Sequence, residues 1–368
     1  MKKIYDYIVI GAGISACTFA SVLNKRFSDN SILLVENGRR LGGRSTTRRS
    51  RKNIILEFDH GLPSISFSHN ISQDLFSLIS PLIKSKKLID IRRDILHMND
   101  FGDLDCECKT DRIYRSVPFM VNFCEEIINQ SINPKQINFA FNTLTKSIQR
   151  TNDFWEVEIN KHLIKCRNLI LSSSLLVHPR CLEILNINTL PLRDSITKGK
   201  DDLIDSVLRE TAKQKYIKRK NYIFYVSNFQ IVSNFNYKYL QILFSKVLIN
   251  NCNFERLIFQ RQLDGSMIIV LHCAYFNKEF DISIDQIIYS LKRIFVKHQN
   301  FLDLFSHLIL IDIMNWRASQ PYGNLLSKEL QWSSKSNIGF CGDWFDIDGL
   351  KGVEAAMNSS IRLTKLLS

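Results

Sequence analysis

No segment of this 368-residue chain approaches the roughly 18 to 20 consecutive apolar residues that a membrane-spanning helix requires. The apolar run Tyr7-Ile8-Val9-Ile10 is preceded by Asp6 and ended by Gly11, so it reads as a buried strand rather than a signal peptide. Nor do the nine cysteines contain a Cys-x-x-Cys pair; Cys106 and Cys108 stand alone, without a clustered histidine. Reduced thiols in a reducing compartment, and no structural metal, are the expectation. Pro/Gly-rich linkers, internal repeats, zinc-finger spacings and basic heptads are missing as well, which argues against a dedicated nucleic-acid binder. What remains is a soluble, cytoplasmic chain, 45% apolar, whose length suits two tightly joined domains.

Acidic residues are the scarcer charged kind. The 49 Lys and Arg against 36 Asp and Glu leave a net charge of +13, which attracts anions in general and is compatible with an anionic small-molecule substrate. The basic residues concentrate in 39–52 and 213–220. The second stretch, with Tyr216 alone interleaved, reads as a solvated loop or helix face. In the first, Arg48, Arg49, Arg51 and Lys52 are either a solvated face or the rim of an entry for a phosphate-bearing substrate.

The first forty residues carry chemistry. Tyr7–Ile10 is a continuous apolar run, as expected of a parallel strand buried on both faces. Gly11-Ala12-Gly13-Ile14-Ser15-Ala16 follows, and Ala16, Phe19, Ala20, Leu23 and Phe27 repeat at helical spacing. A second apolar run, Ile32–Val35, ends in Glu36 and Asn37. In such a unit Gly11 permits the tight turn, Gly13 lets the backbone approach a pyrophosphate, and Ala16 keeps helix and strand close. The free N–H groups around Ile14 and Ser15 face phosphate, and Glu36 accepts from ribose hydroxyls. Dinucleotide binding follows, because strand, turn, helix, second strand and acid are all present.

Two further motifs name the dinucleotide by resemblance. Gly38-Arg39-Arg40-Leu41-Gly42-Gly43-Arg44 resembles the Arg-x-Gly-Gly-Arg segment of the flavin amine oxidase superfamily. There Gly42 and Gly43 would meet the FAD pyrophosphate, with Arg39 and Arg44 near the cofactor. Ile338–Cys341, then Gly342-Asp343 and a helix opening at Gly352-Val353-Glu354, is similar to the C-terminal flavin segment of the same superfamily. The resemblance assigns Asp343 to the ribityl chain and the helix N-terminus to the flavin N1/O2 edge, where the dipole suits developing negative charge. It also implies that Thr145 presents its backbone to the adenine.

Within that superfamily the chain resembles renalase and its bacterial relatives. Asp59-His60-Gly61, Ile268–Leu271 ending in His272, and Trp316-Arg317-Ala318-Ser319-Gln320 carry the likeness. The relatives place Ala-Gln and an aromatic after the first of these, where this chain has Leu62-Pro63-Ser64. The resemblance implies an FAD-dependent oxidoreductase that takes a hydride from a C–H next to nitrogen, as in a dihydronicotinamide-type molecule, onto flavin N5. Reoxidation would be by oxygen or another acceptor. His272, which ordinarily titrates near neutrality, and Arg317 are the catalytic candidates; each is alternatively a packing residue. The other functions open on the same fold are an amine oxidase, a desaturase, or a non-catalytic binding protein similar to the GDP-dissociation inhibitors.

The expected fold class is α/β. A discontinuous Rossmann-type FAD-binding domain (1–70, 110–178 and 310–368) would enclose an inserted α+β substrate domain built on an antiparallel sheet (71–109 and 179–309). Helices are expected over 117–129 and 284–295. Strands are expected over 139–148, 154–159, 163–171, 222–226, 237–244, 256–260 and 267–272.

Overall fold

The computed structural model describes residues 4–50, 56–106, 111–275 and 282–367. The first sheet is parallel at its centre. Ile4–Ile10 pairs with Ile32–Val35 on one side and with His162–Leu171 on the other. Ile137–Ala140 continues beyond Ile32–Val35, and Ile338–Phe340 adds in parallel to the end of His162–Leu171. The apolar runs are explained by burial on both faces. Tyr7, Val9 and Leu34 pack under the helices Ile14–Arg26, Val121–Asn129 and Gly352–Leu366. Ile8, Leu33, Leu169 and Leu171 face a second core with Trp155, Val177 and Leu208. Small residues let the first and last helices approach: Ser360 Oγ donates to the Ser15 carbonyl at 2.9 Å, and Ala16 and Ala356 are nearly or fully buried beside them.

The second sheet has seven strands. From one edge they run Ile309–Tyr322, Lys215–Val226, Met267–Tyr275, Phe254–Arg261, Tyr239–Phe244, Ile95–Met98 and Leu104–Asp105, antiparallel except for the Tyr239–Phe244/Ile95–Met98 pair. Helices Ile284–Ile294 and Gln299–Phe305 cover one face through Phe235, Phe259, Phe295, Phe301 and Phe305. A reciprocal Ser283/Gln286 capping box starts the first of these helices. The opposite face turns Ile223, Ile258, Ile268 and Val270 towards Phe58, Ile91 and Ile113.

The fold class is as expected, and several boundaries differ. The helix expected from 117 begins at Val121. The strand expected over 139–148 is two strands, Ile137–Ala140 and Ile148–Arg150, because Asn142 adopts a positive φ of 54° that no strand continues through. The basic 213–220 stretch, expected as loop or helix, starts the strand Lys215–Val226. Residues 310–322, assigned from sequence to the cofactor half, form the edge of the second sheet. An apolar-polar alternation tells which face a strand buries, not which sheet it joins.

Candidate functional site

The site starts where the first strand ends. Gly11 takes φ +107°, and a Cβ there would meet Ser172 Oγ at 2.4 Å. Gly13 bridges to Gly42, the Gly42 N–H donates to the Ala12 carbonyl at 2.9 Å, and a Cβ on Gly43 would stand 3.2 Å from Gly13 Cα. The two glycine turns are thus packed backbone to backbone. Glu36 locks them: its carboxylate accepts from Ala12 N–H at 2.9 Å and from Gly38 N–H at 2.7 Å. The Thr143 N–H donates to the Glu36 carbonyl, and Thr145 is buried further along that loop, its hydroxyl without a hydrogen-bond partner among the described residues. Asn37 and Arg39 are exposed.

The chain's far end closes on the same place. Asp343, 8% exposed, is held by Arg44 through two parallel bonds of 2.7 Å, and the guanidinium also donates to the Ser319 carbonyl at 2.7 Å. Burial opposes the Arg44 charge, but Asp343 outweighs it and raises the arginine's pKa. Gly342 adopts φ +142° against the Trp344 ring, and its N–H donates to Ser359 Oγ. Gly352 opens the last helix at φ +58° with nothing near its missing side chain, and Val353 and Ala356 line the cavity beyond it. Glu354 is turned elsewhere: both its oxygens accept from Ser68.

The sheet supplies the facing wall. Arg256, His272 and Asn221 lie directly opposite one another on three adjacent strands, and Arg219 stands opposite Trp316 on the next rung. The cavity between the two walls, about 540 Å³, lies within the range usual for small-molecule and cofactor sites. His272 is 3% exposed, and burial beside Arg256 pushes its pKa down to about 3. It is therefore a neutral ring, not the near-neutral proton relay its residue type suggests. His60 is likewise held neutral, near 4, by burial and by Arg48. It packs against Trp316, and its carbonyl accepts from Asn221 Nδ2 at 2.6 Å.

Of the residues expected from sequence, Gly11, Gly13, Ile14, Ser15, Glu36, Gly42, Gly43, Arg44, Gly61, His272, Asp343, Gly352 and Val353 line one cavity. Ala16, Asp59, His60 and Gly342 sit behind it. Asp59 accepts from Thr47, Arg115 and the Met120 N–H, while burial lifts its carboxyl pKa against those donors. Arg317 is exposed, because strand alternation gives the cavity its neighbours Trp316 and Ala318. Of the proposed entry rim, Arg48 pairs with Asp312 and Arg49 with Glu57, and Arg51 and Lys52 lie outside the described residues.

Sequence reasoning missed Ser172–Ser174, Arg180, Tyr216, Arg219, Asn221 and Arg256. The serines follow a strand, where a crevice in a parallel sheet opens, and that signal was available. Arg219 and Arg256 carried no local pattern; only strand register brings them together. Among the described residues no helix is long and apolar enough to cross a membrane, and no group of three or more His, Cys, Asp or Glu forms a metal site.

Comparison with known proteins agrees with this geometry. Residues 9–82 match the NAD(P)-binding Rossmann-like domain family. No curated protein matches the chain by sequence. A CLA-producing fatty acid isomerase from P. acnes superposes with a TM-score of 0.62 at 9% identity, covering 100% of this chain and 99% of the other. A putative protoporphyrinogen oxidase from Exiguobacterium sp. gives 0.59, 9%, 100% and 99%. A redesigned putrescine oxidase gives 0.58, 10%, 99% and 98%. The chain shares with these three proteins a fold that joins a Rossmann-like parallel sheet to an antiparallel one.

Proposed function

We propose that this chain is an FAD-dependent oxidoreductase of renalase-like type, taking a hydride from a C–H next to nitrogen, a dihydronicotinamide-type molecule being one such donor. One observation carries the reading: a single cavity joins both glycine turns, the Asp343–Gly352 segment and the buried face of the antiparallel sheet. The residues present suit the cofactor. The packed glycines leave backbone N–H groups free of side chains, and the space beside Gly352 is open at a helix N-terminus.

Bound there, FAD would supply the two-electron acceptor for the hydride and pass the electrons on to dioxygen or another acceptor. The protein's own part is placement. Glu36 holds the dinucleotide turn in shape, Arg44 and Asp343 fix the cavity's middle, and Trp316 and Leu62 supply apolar wall that excludes water. His272, neutral and buried, orients the donor rather than carrying its proton.

The test is the purified protein's spectrum. It should be yellow and release FAD, not FMN, on denaturation. A preparation that stays colourless after FAD is added overturns the proposal and favours a non-catalytic binding protein.

A further inference from the structure

The acids around the cavity are almost all spoken for. Asp343 is taken by Arg44, Asp312 by Arg48, and Asp59 by Arg115. Glu255 is taken by Arg219, through bonds of 2.5 and 2.8 Å. It sits at a β-bulge between Phe254 and Arg256, so two successive side chains, Glu255 and Arg256, share one side of the sheet. Arg256 is left with the same carboxylate at 3.7 Å, and its Nε has no hydrogen-bond partner among the described residues. Arg219 and Arg256 against Glu255 leave one positive charge over, on the cavity wall. A buried charge without a good partner is costly, and a ligand of opposite charge removes that cost. Arg180, the lining arginine with no ion pair among the described residues, stacks over Tyr216 at 4.0 Å and donates to Ser174 Oγ on the parallel-sheet half.

The neighbours of Arg256 have the opposite hydrogen-bonding sense. Asn221 donates its amide N–H to the His60 carbonyl at 2.6 Å, and His272 stands directly opposite Asn221 on the adjacent strand. That bond orients the Asn221 amide and leaves its Oδ1 as an acceptor with no donor, while His272 Nε2 also has no hydrogen-bond partner among the described residues. These residues are 1% and 3% exposed, and both line the cavity. An arginine fork thus stands beside an unfilled amide acceptor and an unpartnered ring nitrogen, which accepts an N–H in one of the neutral ring's two tautomers.

We propose that the sheet-side end of the cavity reads a carboxylate with Arg256 and an adjacent N–H with His272 and Asn221, so that the molecule bound there is an amino-acid-like N–H-bearing carboxylic acid. One surplus charge matches a carboxylate better than a doubly charged phosphate. The identity of this molecule as the hydride donor rests on the oxidoreductase reading above; its binding does not.

The test is titration of the FAD-loaded protein with 2-aminobenzoate, benzoate and aniline, followed by flavin difference spectra and by melting temperature. The acid bearing an N–H should bind tightest. Benzoate should bind about tenfold more weakly for the loss of one buried hydrogen bond, and aniline roughly a hundredfold more weakly for the loss of a charge-assisted one. Arg256→Met should abolish the difference between benzoate and aniline while FAD stays bound, and Arg256→Lys should restore it in part. Equal binding of aniline and benzoate, an unchanged preference in a folded Arg256→Met protein, or displacement of benzoate by FAD overturns the proposal. If the protein takes up no FAD, calorimetry on the same probes still decides. An Arg256-dependent carboxylate preference then upholds the subsite while the oxidoreductase reading falls.

Discussion

At the scale of single residues, the Arg44–Asp343 pair is the most consequential contact. The bidentate bonds fix an arginine from the second glycine turn to an acid 299 positions away. Asp343→Ala leaves that guanidinium without its acid and removes the group expected at the ribityl chain. FAD retention should fall roughly ten- to hundredfold, the equivalent of a charge-assisted hydrogen bond of about 1.5–3 kcal/mol. Equilibrium dialysis of the folded variant measures it. The two buried histidines make a second prediction. His60 and His272 stay neutral in the folded chain to about pH 4 and 3, whereas an unfolded histidine titrates near 6.5. Below about 6.5 the unfolded chain binds more protons, so their contribution is complete above that pH and is lost as the pH falls towards 4 and then 3. Acidification to about pH 4.5 should cost on the order of 2 kcal/mol for each histidine. Melting curves between about pH 7.5 and 4.5 test this, and His60→Phe, which keeps the packing on Trp316, should flatten the slope. Glycines and acids of the motifs were legible in the sequence because their local spacing is their function. The neutrality of His272 was not, because it depends on its burial and on Arg256, which another strand supplies.

At the scale of elements, the two glycine turns act as one unit. Gly43 has φ +55° and a would-be Cβ 3.2 Å from Gly13 Cα. Gly43→Ala should therefore cost about 1 kcal/mol or more of local strain and push the turns apart. Weakened FAD uptake with a nearly unchanged circular dichroism spectrum is the expected outcome. In the second half, Phe259 is fully buried among Phe235 and Phe301. Phe259→Ala should destabilise the protein by about 3–5 kcal/mol, read from urea unfolding. The strand–turn–helix–strand unit was legible because both faces of its strands are buried, giving uninterrupted apolar runs. The strand Lys215–Val226 was harder. Its first half, Lys215–Lys220, is mostly partly exposed and basic, and shows neither a clear period nor an apolar run. The break between Ala140 and Ile148 was marked only by the polar residues Asn142, Thr143, Thr145, Lys146 and Ser147, which a solvent-facing strand also carries.

At the scale of the molecule, the cavity is walled by both halves, so a ligand that fills it couples them. FAD at about one hundred times its dissociation constant should add roughly 2.7 kcal/mol to the stability of the folded chain. Calorimetric melting with and without FAD should show a higher, sharper transition in its presence. The general plan was readable from motifs at both ends of the chain, while the ownership of Ile309–Tyr322 was not, since pairing partners are a property of the assembled sheet. That plan also sets a timetable. Asp343, Trp344, Gly352, Val353 and Ala356 leave a ribosome after every other residue that lines the cavity. Every other wall is synthesised first, and the last helix then docks on the first through Ser15 and Ser360. A nascent chain that has reached only residue 337 carries the dinucleotide turn but lacks the acid, the helix terminus and the strand that complete its pocket. A pocket built this way exists only once these residues have been made, and a chain stalled before Asp343 would leave its glycine turns and arginines waiting for a partner not yet made.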